Sequence, residues 1–211
     1  MSNLGGNCPI CNGALVLFDT NRDRHIVKCE ICRLLVVEEG LYRLGDGQSI
    51  YEADESIFFV DGNQKYYEDK NNTLSAKEKL DFVRRNLQPG SHLLDAGAGF
   101  GFFVKVAQDY YDVRGVEVAP AAVQWSRANL HVNCERGNIY SLSEQFPKAT
   151  KFDAITLWDV IEHLHDPRAA LRVCRRMLRS SGQLYISTQT PEALWLVCWG
   201  TGGTILIRFS T

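Results

Sequence analysis

The sequence predicts a three-layer α/β domain with a mostly parallel sheet, preceded by a small metal-binding module. Two observations lead to this prediction. Short apolar runs of strand type alternate with helix-type patterns over the second half of the chain, and four cysteines near the start form two Cys-x2-Cys pairs. We therefore divide the chain into a metal-binding module at 1–40, a linker or lid at 41–74, and the α/β domain at 75–211.

Composition limits the function classes. A chain of 211 residues that is 45% hydrophobic suits one domain of ordinary size with a small appendage. A formal net charge of -2 argues against a nucleic-acid partner. No secretory signal stands at the start, and the longest uncharged stretch, 193–207, is shorter than the roughly 20 residues of a membrane helix. We expect a cytoplasmic protein without a membrane span.

The stretch at 92–103 organises the α/β domain. Apolar strand residues lead to an acid, then to three glycines spaced two apart, then to a helix-type pattern. Glycine permits a sharp turn and lets a ligand approach backbone N–H groups. The dinucleotide fingerprint G-x-G-x-x-G is not met, because the third glycine falls one residue early. Taken alone, the run could equally be a tight strand-to-helix turn. The candidate cofactor-binding residues here are Asp95, Gly97, Gly99, Gly101 and Phe102.

The run at 94–101 resembles motif I of the class I S-adenosylmethionine-dependent methyltransferases. The segment at 152–167 resembles, almost residue for residue, part of the methyltransferase family that includes ubiquinone-biosynthesis O-methyltransferases. The resemblance covers residues 90–190 well and the N-terminal module more loosely. It implies a Rossmann-like methyltransferase fold, S-adenosyl-L-methionine as the cofactor, and a small-molecule methyl acceptor.

Further cofactor contacts follow from that resemblance. Glu117 lies 22 residues after Asp95, near the end of a predicted second strand, where a carboxylate can accept both ribose hydroxyls. The alternative is a solvated strand end. Asn138 follows a third strand predicted around 132–135, where the family usually has an acid that binds the adenine amino group; its carbonyl oxygen can still accept that bond, and a plain loop residue is the alternative. Ile139 is grouped with it.

The catalytic candidates follow the fourth predicted strand, 152–158. Trp158 and Asp159 stand where open α/β sheets bind ligands, and Asp159 is a candidate contact for the methionine part of the cofactor or for the substrate. Methyl transfer is an in-line displacement that requires an aligned nucleophile and, for some acceptors, a base. His163 and His165 are candidate bases, since histidine titrates near neutral pH. The alternative is that the segment only fixes the loop, with Asp166 capping the next helix.

The cysteine pairs predict a structural metal site. Seventeen residues separate the two pairs, and four thiolates so placed suit tetrahedral Zn²⁺ with no open position. Rubredoxin-like iron is the alternative, and disulfides are disfavoured in a reducing compartment. A zinc ribbon of this size needs its metal to fold. From residue 8 to residue 39 we count four basic and five acidic residues, which argues against phosphate binding. The predicted ligands are Cys8, Cys11, Cys29 and Cys32.

The remaining predictions concern the connector and the ends of the helices. The aromatics of the connector pack on the neighbouring domain or, alternatively, form a lid over the cofactor. A capping box at 75–78 predicts the start of a helix, and the glycine turn predicts another at about 100–110. A helix at 168–178 carries a solvated arginine face and ends at Ser181-Gly182, before a fifth strand at 183–188.

The last twenty-one residues, 191–211, do not look like the continuation seen in relatives, although 204–209 reads as one short strand. Truncation or a shifted reading frame would explain this. We then expect exposed apolar surface, self-association through the C-terminal apolar segment, and weak or absent turnover.

We therefore expect methyl transfer from S-adenosyl-L-methionine to an oxygen or carbon nucleophile of a sugar nucleotide, a quinone-like compound or a secondary metabolite. The Asp/Asn-Pro-Pro-aromatic signature of amino methylation on nucleic-acid bases is absent. One rival hypothesis is RNA methylation with the ribbon docking the substrate. The other is a catalytically inactive cofactor-binding or scaffold protein.

Overall fold

The computed structural model describes residues 7–8, 11–21, 24–33, 35–37, 70–164, 166–188 and 204–208. The predictions for most of the connector, for His165 and for most of the C-terminal tail lie outside these residues. The chain forms two compact units, one built on the N-terminal residues and one on the α/β domain.

The N-terminal unit contains a three-stranded antiparallel sheet, as the ribbon prediction requires. Its strands are β1 (Leu15–Asn21), β2 (Arg24–Cys29) and β3 (Leu35–Val37), and β2 lies in the centre. Among the residues that the structure describes here, the core that these strands enclose is very small. Leu15 and Val27 pack with Cys8 and Cys29, all nearly inaccessible to solvent. So few buried apolar groups leave the cysteines as the main candidates for holding this unit together.

The α/β unit contains one six-stranded sheet. Five of its strands are parallel, and the last pairs antiparallel at one edge. In chain order the strands are β4 (His92–Ala96), β5 (Asp112–Glu117), β6 (Cys134–Arg136), β7 (Phe152–Trp158), β8 (Leu178–Ser187) and β9 (Thr204–Arg208). The helices are α1 (Lys70–Arg84), α2 (Phe102–Ala107), α3 (Pro120–Leu130), α4 (Leu142–Gln145) and α5 (Pro167–Met177), with 3-10 turns at Ile139–Ser141 and Ile161–His163. The predicted mostly parallel sheet is confirmed.

The strand order, β6-β5-β4-β7-β8-β9, fixes where a ligand can bind. The chain builds outward from β4 through β5 to β6, then returns to the other side of β4 to form β7 and β8. The connections therefore diverge above β4 and β7, and open α/β sheets bind ligands in the crevice outside the strand ends at such a point. Strand β4 is central, with paired strands on both its edges. Leu93 and Leu94 point to opposite faces of the sheet and are both fully inaccessible, as expected for a parallel sheet covered on both faces.

Helix α1 begins at Lys70, five residues before the predicted capping box. The buried stripe of this helix starts only at Ala76 and continues through Leu80 and Val83. The polar first turn carries no apolar periodicity, so the sequence pattern marks only the helix interior. Ser75 is consequently an exposed residue inside α1, and a boundary drawn between 74 and 75 falls within a helix.

Two further helix boundaries were wrong. Helix α2 occupies only Phe102–Ala107, which is shorter than the predicted 100–110. Helix α5 ends at Met177 rather than at Ser181-Gly182, because the backbone becomes extended where Leu178 pairs with Phe152. The register of β8 then shifts before the next pair forms, so Gly182 lies in a strand irregularity instead of ending a helix.

The short strand predicted at 204–209 is confirmed as β9, which pairs with β8 from Thr204 opposite Ser187 to Arg208 opposite Gln183. Contrary to the sequence-based expectation, this part of the tail does continue the sheet. Among the described residues, no helix combines the length and the apolar character needed to cross a membrane.

Candidate functional site

The glycine loop joins β4 to α2, and its glycines have different neighbours. Gly97, Gly99 and Gly101 adopt φ angles of 87°, 52° and 77°, in the left-handed region that favours glycine. A Cβ placed on Gly97 would lie 2.4 Å from Cγ2 of Val160, whereas one on Gly99 would meet no atom of the described residues within 4 Å. Gly97 therefore allows close packing against the segment after β7, and Gly99 borders open space.

Glu117 connects the end of β5 to this loop. Its side chain is nearly buried, with 8% of the residue exposed. One carboxylate oxygen, Oε2, accepts a hydrogen bond from the backbone N–H of Gly99 at 2.7 Å, and Oε1 accepts one from the N–H of Ala119 at 2.9 Å. Each carboxylate oxygen can accept further bonds. The carboxylate is thus fixed as an acceptor at the ligand-binding edge of the sheet.

Asp95 lies inside the sheet rather than on the surface of the crevice. It is 1% exposed, and its Oδ1 accepts a hydrogen bond of 2.7 Å from the hydroxyl of Thr156 on β7. Burial raises the pKa of Asp95 to about 7. A direct contact between Asp95 and a cofactor stays a prediction. Thr156 was missed because one threonine within an apolar strand gives no signal in the sequence.

Trp158 ends β7 and presents a buried indole beside the crevice. Its ring packs edge-on against Phe103, with 5.2 Å between centroids. The indole Nε1 has no hydrogen-bond partner among the described residues, although its surroundings exclude solvent. A buried N–H without an acceptor is costly, so this donor is suited to an acceptor atom supplied by a ligand or a water molecule.

Asp159, the next residue, is held in an unusual backbone conformation. Its φ of 56° is left-handed, which is uncommon for a residue other than glycine. Its N–H donates to the backbone oxygen and to the hydroxyl oxygen of Ser187, each at 3.1 Å, and the Ser187 hydroxyl lies 3.0 Å from Oδ1 of Asp159. The other carboxylate oxygen, Oδ2, pairs with Nζ of Lys79 at 2.9 Å.

Lys79 and Ser187 are site residues that the sequence reading missed. Lys79 comes from α1, and its Nζ also lies 5.6 Å from the centre of the Trp158 ring. It is separated from Asp159 by 80 residues, and no local pattern reveals contacts at that distance along the chain. Only the folded sheet brings these groups together.

The remaining predicted cofactor residues are Phe102, Asn138 and Ile139. Phe102 begins α2 and packs on the ring of Trp125 at 5.8 Å. The N–H of Gly137 donates to the backbone oxygen of Glu117, so Asn138 and the largely buried Ile139 follow directly beside the β5 tip. The carbonyl oxygen of the Asn138 side chain accepts the N–H of Tyr140 at 3.0 Å. This oxygen is therefore already engaged. The adenine contact of Asn138 and the cofactor contacts of Phe102 and Ile139 stay predictions.

His163 closes the 3-10 turn after β7. Its backbone N–H donates to the oxygen of Val160 at 2.9 Å, and its side chain is exposed. The base role of His163 stays a prediction, and His165 lies outside the described residues. The alternative role of Asp166 is confirmed, because its Oδ1 accepts the N–H of Ala169 at 2.8 Å at the start of α5.

The four predicted metal ligands converge in the N-terminal unit. Their sulfur atoms all lie within 4.8 Å of one another, with Cys8 to Cys32 and Cys11 to Cys29 each at 3.4 Å. Tetrahedral zinc with bonds of about 2.3 Å needs sulfur separations of about 3.8 Å, so the donor set fits the ion. The N–H of Cys32 donates to Sγ of Cys29 and lowers the pKa of that thiol to about 6, which favours the thiolate.

The described cysteines outside the cluster behave differently. Cys134 and Cys174 are both fully buried, and burial raises the pKa of each thiol to about 12. Both are therefore inert core residues.

Comparison with known proteins decides the family. A family model described as a methyltransferase domain matches residues 67–201. The chain belongs to this family. The recognition of a class I S-adenosylmethionine-dependent methyltransferase from the glycine motif is thereby confirmed.

The curated proteins that match part of this chain include ubiquinone biosynthesis O-methyltransferases. A ubiquinone biosynthesis O-methyltransferase of Xanthomonas axonopodis pv. citri (strain 306) is 30% identical over 131 residues, which cover 58% of this chain and 54% of the relative. The chain therefore spans about half the length of the curated relatives it matches.

Two solved structures support the fold. S-adenosylmethionine-bound CalS10, an amino pentose methyltransferase from Micromonospora echinaspora, is 25% identical with a TM-score of 0.52, over 64% of this chain and 59% of that one. The N-methyltransferase NodS of Bradyrhizobium japonicum WM9, in complex with S-adenosyl-L-homocysteine, has a TM-score of 0.53 at 18% identity, over 66% and 73% of the two chains. The second likeness concerns the fold alone.

The packing of Gly97 on Val160 predicts a coupled pair. Gly97→Ala combines left-handed strain with the 2.4 Å approach, and we expect it to lower the free energy of unfolding by about 2–5 kcal/mol. Val160→Ala removes the obstructing methyl groups. The double variant should therefore lose about 1–3 kcal/mol less unfolding free energy than the sum of the two single losses. Urea titration of the variants measures this. Gly99→Ala, which is strained but unobstructed, is the control, and strict additivity would contradict the packing argument.

Asp95 predicts a loss of stability with rising pH. Its folded pKa of about 7 exceeds the ordinary value of 3.8, so the folded state keeps a proton that the unfolded state releases. This stabilisation is complete below about pH 4 and disappears as the pH rises through about 7. Asp95→Asn cannot ionise and keeps an acceptor for Thr156, so its unfolding free energy should lack this component.

Urea titrations from pH 5.5 to 8 with zinc present test the effect. The wild type should lose stability relative to Asp95→Asn over this interval by an amount on the order of 1–3 kcal/mol. The exposed Asp109→Asn serves as the control. Parallel curves for the wild type and Asp95→Asn would show that Asp95 ionises normally.

Proposed function

We propose that this protein binds S-adenosyl-L-methionine in the crevice above β4, β5 and β7 and transfers its methyl group to an oxygen or carbon nucleophile of a small molecule. The observation that carries the proposal is the carboxylate of Glu117, which is fixed by the N–H groups of Gly99 and Ala119 beside the glycine loop. A carboxylate so placed accepts both hydroxyls of a ribose.

The crevice residues fit such a cofactor in three respects. No described residue fills the space beside Gly99, so the loop admits a group that a side chain would obstruct. Glu117 offers acceptor capacity to a ribose, and the buried N–H of Trp158 lacks an acceptor among the described residues. None of these features requires the pyrophosphate cradle of a dinucleotide site.

The cofactor, when bound, supplies an already activated methyl group on a sulfonium. The chain then has to align the acceptor with that methyl group and exclude competing water. Asp159 is placed to contact the ligands, since its side chain is 42% exposed at the end of β7. His163 is the candidate base for acceptors whose nucleophile carries a proton.

A small-molecule acceptor is supported by the kinds of similar protein and by the charges of the ribbon. The curated relative is named for ubiquinone biosynthesis and CalS10 for an amino pentose, both small molecules. The N-terminal unit has no excess of basic residues, which disfavours RNA docking. A screen of methyl transfer against quinols, sugar nucleotides and RNA would distinguish these classes, and transfer to RNA alone would refute the small-molecule proposal.

His163→Asn should lower turnover with hydroxyl acceptors and leave cofactor affinity unchanged.

Glu117 provides the direct test of cofactor binding. Glu117→Gln replaces one acceptor oxygen with a donor that opposes a backbone N–H, so we expect calorimetry to show about 10–100-fold weaker binding of S-adenosyl-L-methionine and S-adenosyl-L-homocysteine. The control is Glu144→Gln, an exposed change on α4, which should bind like the wild type. Undiminished affinity in Glu117→Gln, or no affinity at millimolar cofactor in the folded wild type, would refute the proposal.

We also propose that the four-cysteine cluster holds one structural Zn²⁺. Its support is the convergence of the four sulfur atoms and the very small core of the unit. Four protein ligands leave no position for a substrate, so the ion would stabilise the fold without taking part in methyl transfer.

Metal analysis of the purified chain should find one zinc ion, and Cys11→Ser should lose it. Because metal binding supplies the folding free energy of such a unit, the Cys11→Ser chain should also be cut rapidly by protease within the first 40 residues. Cys174→Ala changes a buried thiol outside the cluster and should retain the metal. A stoichiometric content of iron would favour the rubredoxin-like alternative, and no bound metal would refute the site.

A further inference from the structure

We propose that Cys32 is an oxidation-sensitive member of the four-cysteine cluster, and that a hydroperoxide converts Cys32 and Cys8 into a disulfide and so releases the metal. The inference rests on the proposed zinc site and extends it, because it assigns a redox response to a site whose role would otherwise be structural only. Two observations carry it: the unequal exposure of the four cysteines, and the distances between their sulfur atoms.

The first cysteine of each Cys-x2-Cys pair is an inner ligand, and the second is an outer one. Cys8 and Cys29 lie in the core of the N-terminal unit and are nearly inaccessible to solvent. Cys11 is partly buried and packs against that core, whereas Cys32 is exposed. All four would be thiolates when they hold a metal, so access to solvent distinguishes their susceptibility to oxidation. Cys32 is the ligand that a small oxidant reaches first.

The turn that carries Cys32 fixes this difference. The N–H of Cys32 donates to Sγ of Cys29 at 3.4 Å, and the N–H of Arg33 donates to the backbone oxygen of Cys29 at 3.0 Å. Cys29 is enclosed from the other side, since a Cβ on Gly13 would lie 3.1 Å from its sulfur. Ile31 on the same turn is 71% exposed. The turn therefore holds Cys29 inside the cluster and Cys32 at its surface.

The distances between sulfur atoms select the partner of Cys32. Its Sγ lies 3.4 Å from Sγ of Cys8, and Cys11 and Cys29 have the same separation. Each of these cross-pairs joins an outer sulfur of one Cys-x2-Cys pair to an inner sulfur of the other. Such atoms need to approach by little more than about 1 Å to reach the disulfide bond length of about 2.05 Å. The structure therefore favours disulfides between the two Cys-x2-Cys pairs rather than within them.

The reaction balances with a hydroperoxide as the oxidant. The thiolate of Cys32 attacks the terminal peroxide oxygen, so an S–O bond forms, the O–O bond breaks, and the leaving alkoxide takes a proton from solvent. The thiolate of Cys8 then attacks the sulfenic acid sulfur of Cys32. The S–S bond forms, the S–O bond breaks, and hydroxide leaves and takes a second proton. The two sulfurs together lose two electrons, which reduce the peroxide. The site keeps only two thiolates, too few to retain zinc.

Peroxide treatment of the zinc-loaded chain tests the inference. Cys198→Ser is introduced throughout, because Cys198 lies outside the described residues and its thiol could exchange with new disulfides. Metal analysis precedes the addition of hydrogen peroxide. A chromogenic chelator then follows zinc release, and mass spectrometry of unreduced peptides maps the disulfides. We expect zinc release together with a disulfide between Cys8 and Cys32, and recovery of zinc binding after a thiol reductant and zinc are added.

Two histidine variants provide matched arms, since three cysteines and one histidine also suit zinc. Cys32→His keeps a ligand at this position but removes the accessible sulfur, so we expect zinc release to slow at least about tenfold. Cys11→His makes the same change at the other outer ligand and should release zinc several-fold faster than Cys32→His.

Either of two results would overturn the inference while leaving the metal site standing. One is release from Cys32→His as fast as from Cys11→His, and the other is a map with disulfides only within the two Cys-x2-Cys pairs. Should Cys32→His not hold zinc, the disulfide map of the parent chain decides alone. A parent chain without zinc before treatment would instead refute the metal site, and this inference with it.

Discussion

The geometry of the crevice depends on the two backbone hydrogen bonds that Glu117 accepts. They join the tip of β5 to the glycine loop after β4 and to the residue that precedes α3. One side chain thereby sets the position of two connections that leave the same edge of the sheet. Glycine takes the left-handed positions of this loop without strain, so the carboxylate and the glycines form one structural unit.

The glycines of this unit serve different physical purposes. Gly97 is required by its neighbour Val160, and a Cβ on Gly101 would come within 3.0 Å of Val132. Of the three, Gly99 alone has no described atom where its Cβ would lie. The spacing of the three glycines indicates a sharp turn, yet it cannot distinguish a glycine that permits packing from one that admits a ligand, since that difference depends on residues far along the chain.

The sequence predicted those parts of the fold that have local causes. Apolar runs marked the strands, and Glu117 was predicted near the end of its strand. The missed features have non-local causes. The Lys79–Asp159 pair spans 80 residues, and α1 starts in a polar turn that carries no apolar periodicity. The end of α5 was misplaced because Gly182, usually a stop signal, lies within an irregular strand.

Three unfavourable features lie at the carboxyl edge of the sheet. At the carboxyl ends of β4 and β7 lie a buried acid, a left-handed aspartate and an indole N–H without an acceptor among the described residues: Asp95, Asp159 and Trp158.

At the amino ends of the same strands, the described polar groups discussed next all have hydrogen-bond or ion-pair partners. There, the backbone N–H of His92 donates to Asp153, which pairs with Arg179, and the His92 ring pairs with Asp112 at 2.8 Å. Stability alone would favour satisfied contacts at both edges. A binding function can maintain local strain and unmet hydrogen bonds, so this asymmetry supports the proposed ligand position at the carboxyl edge independently of the glycine motif.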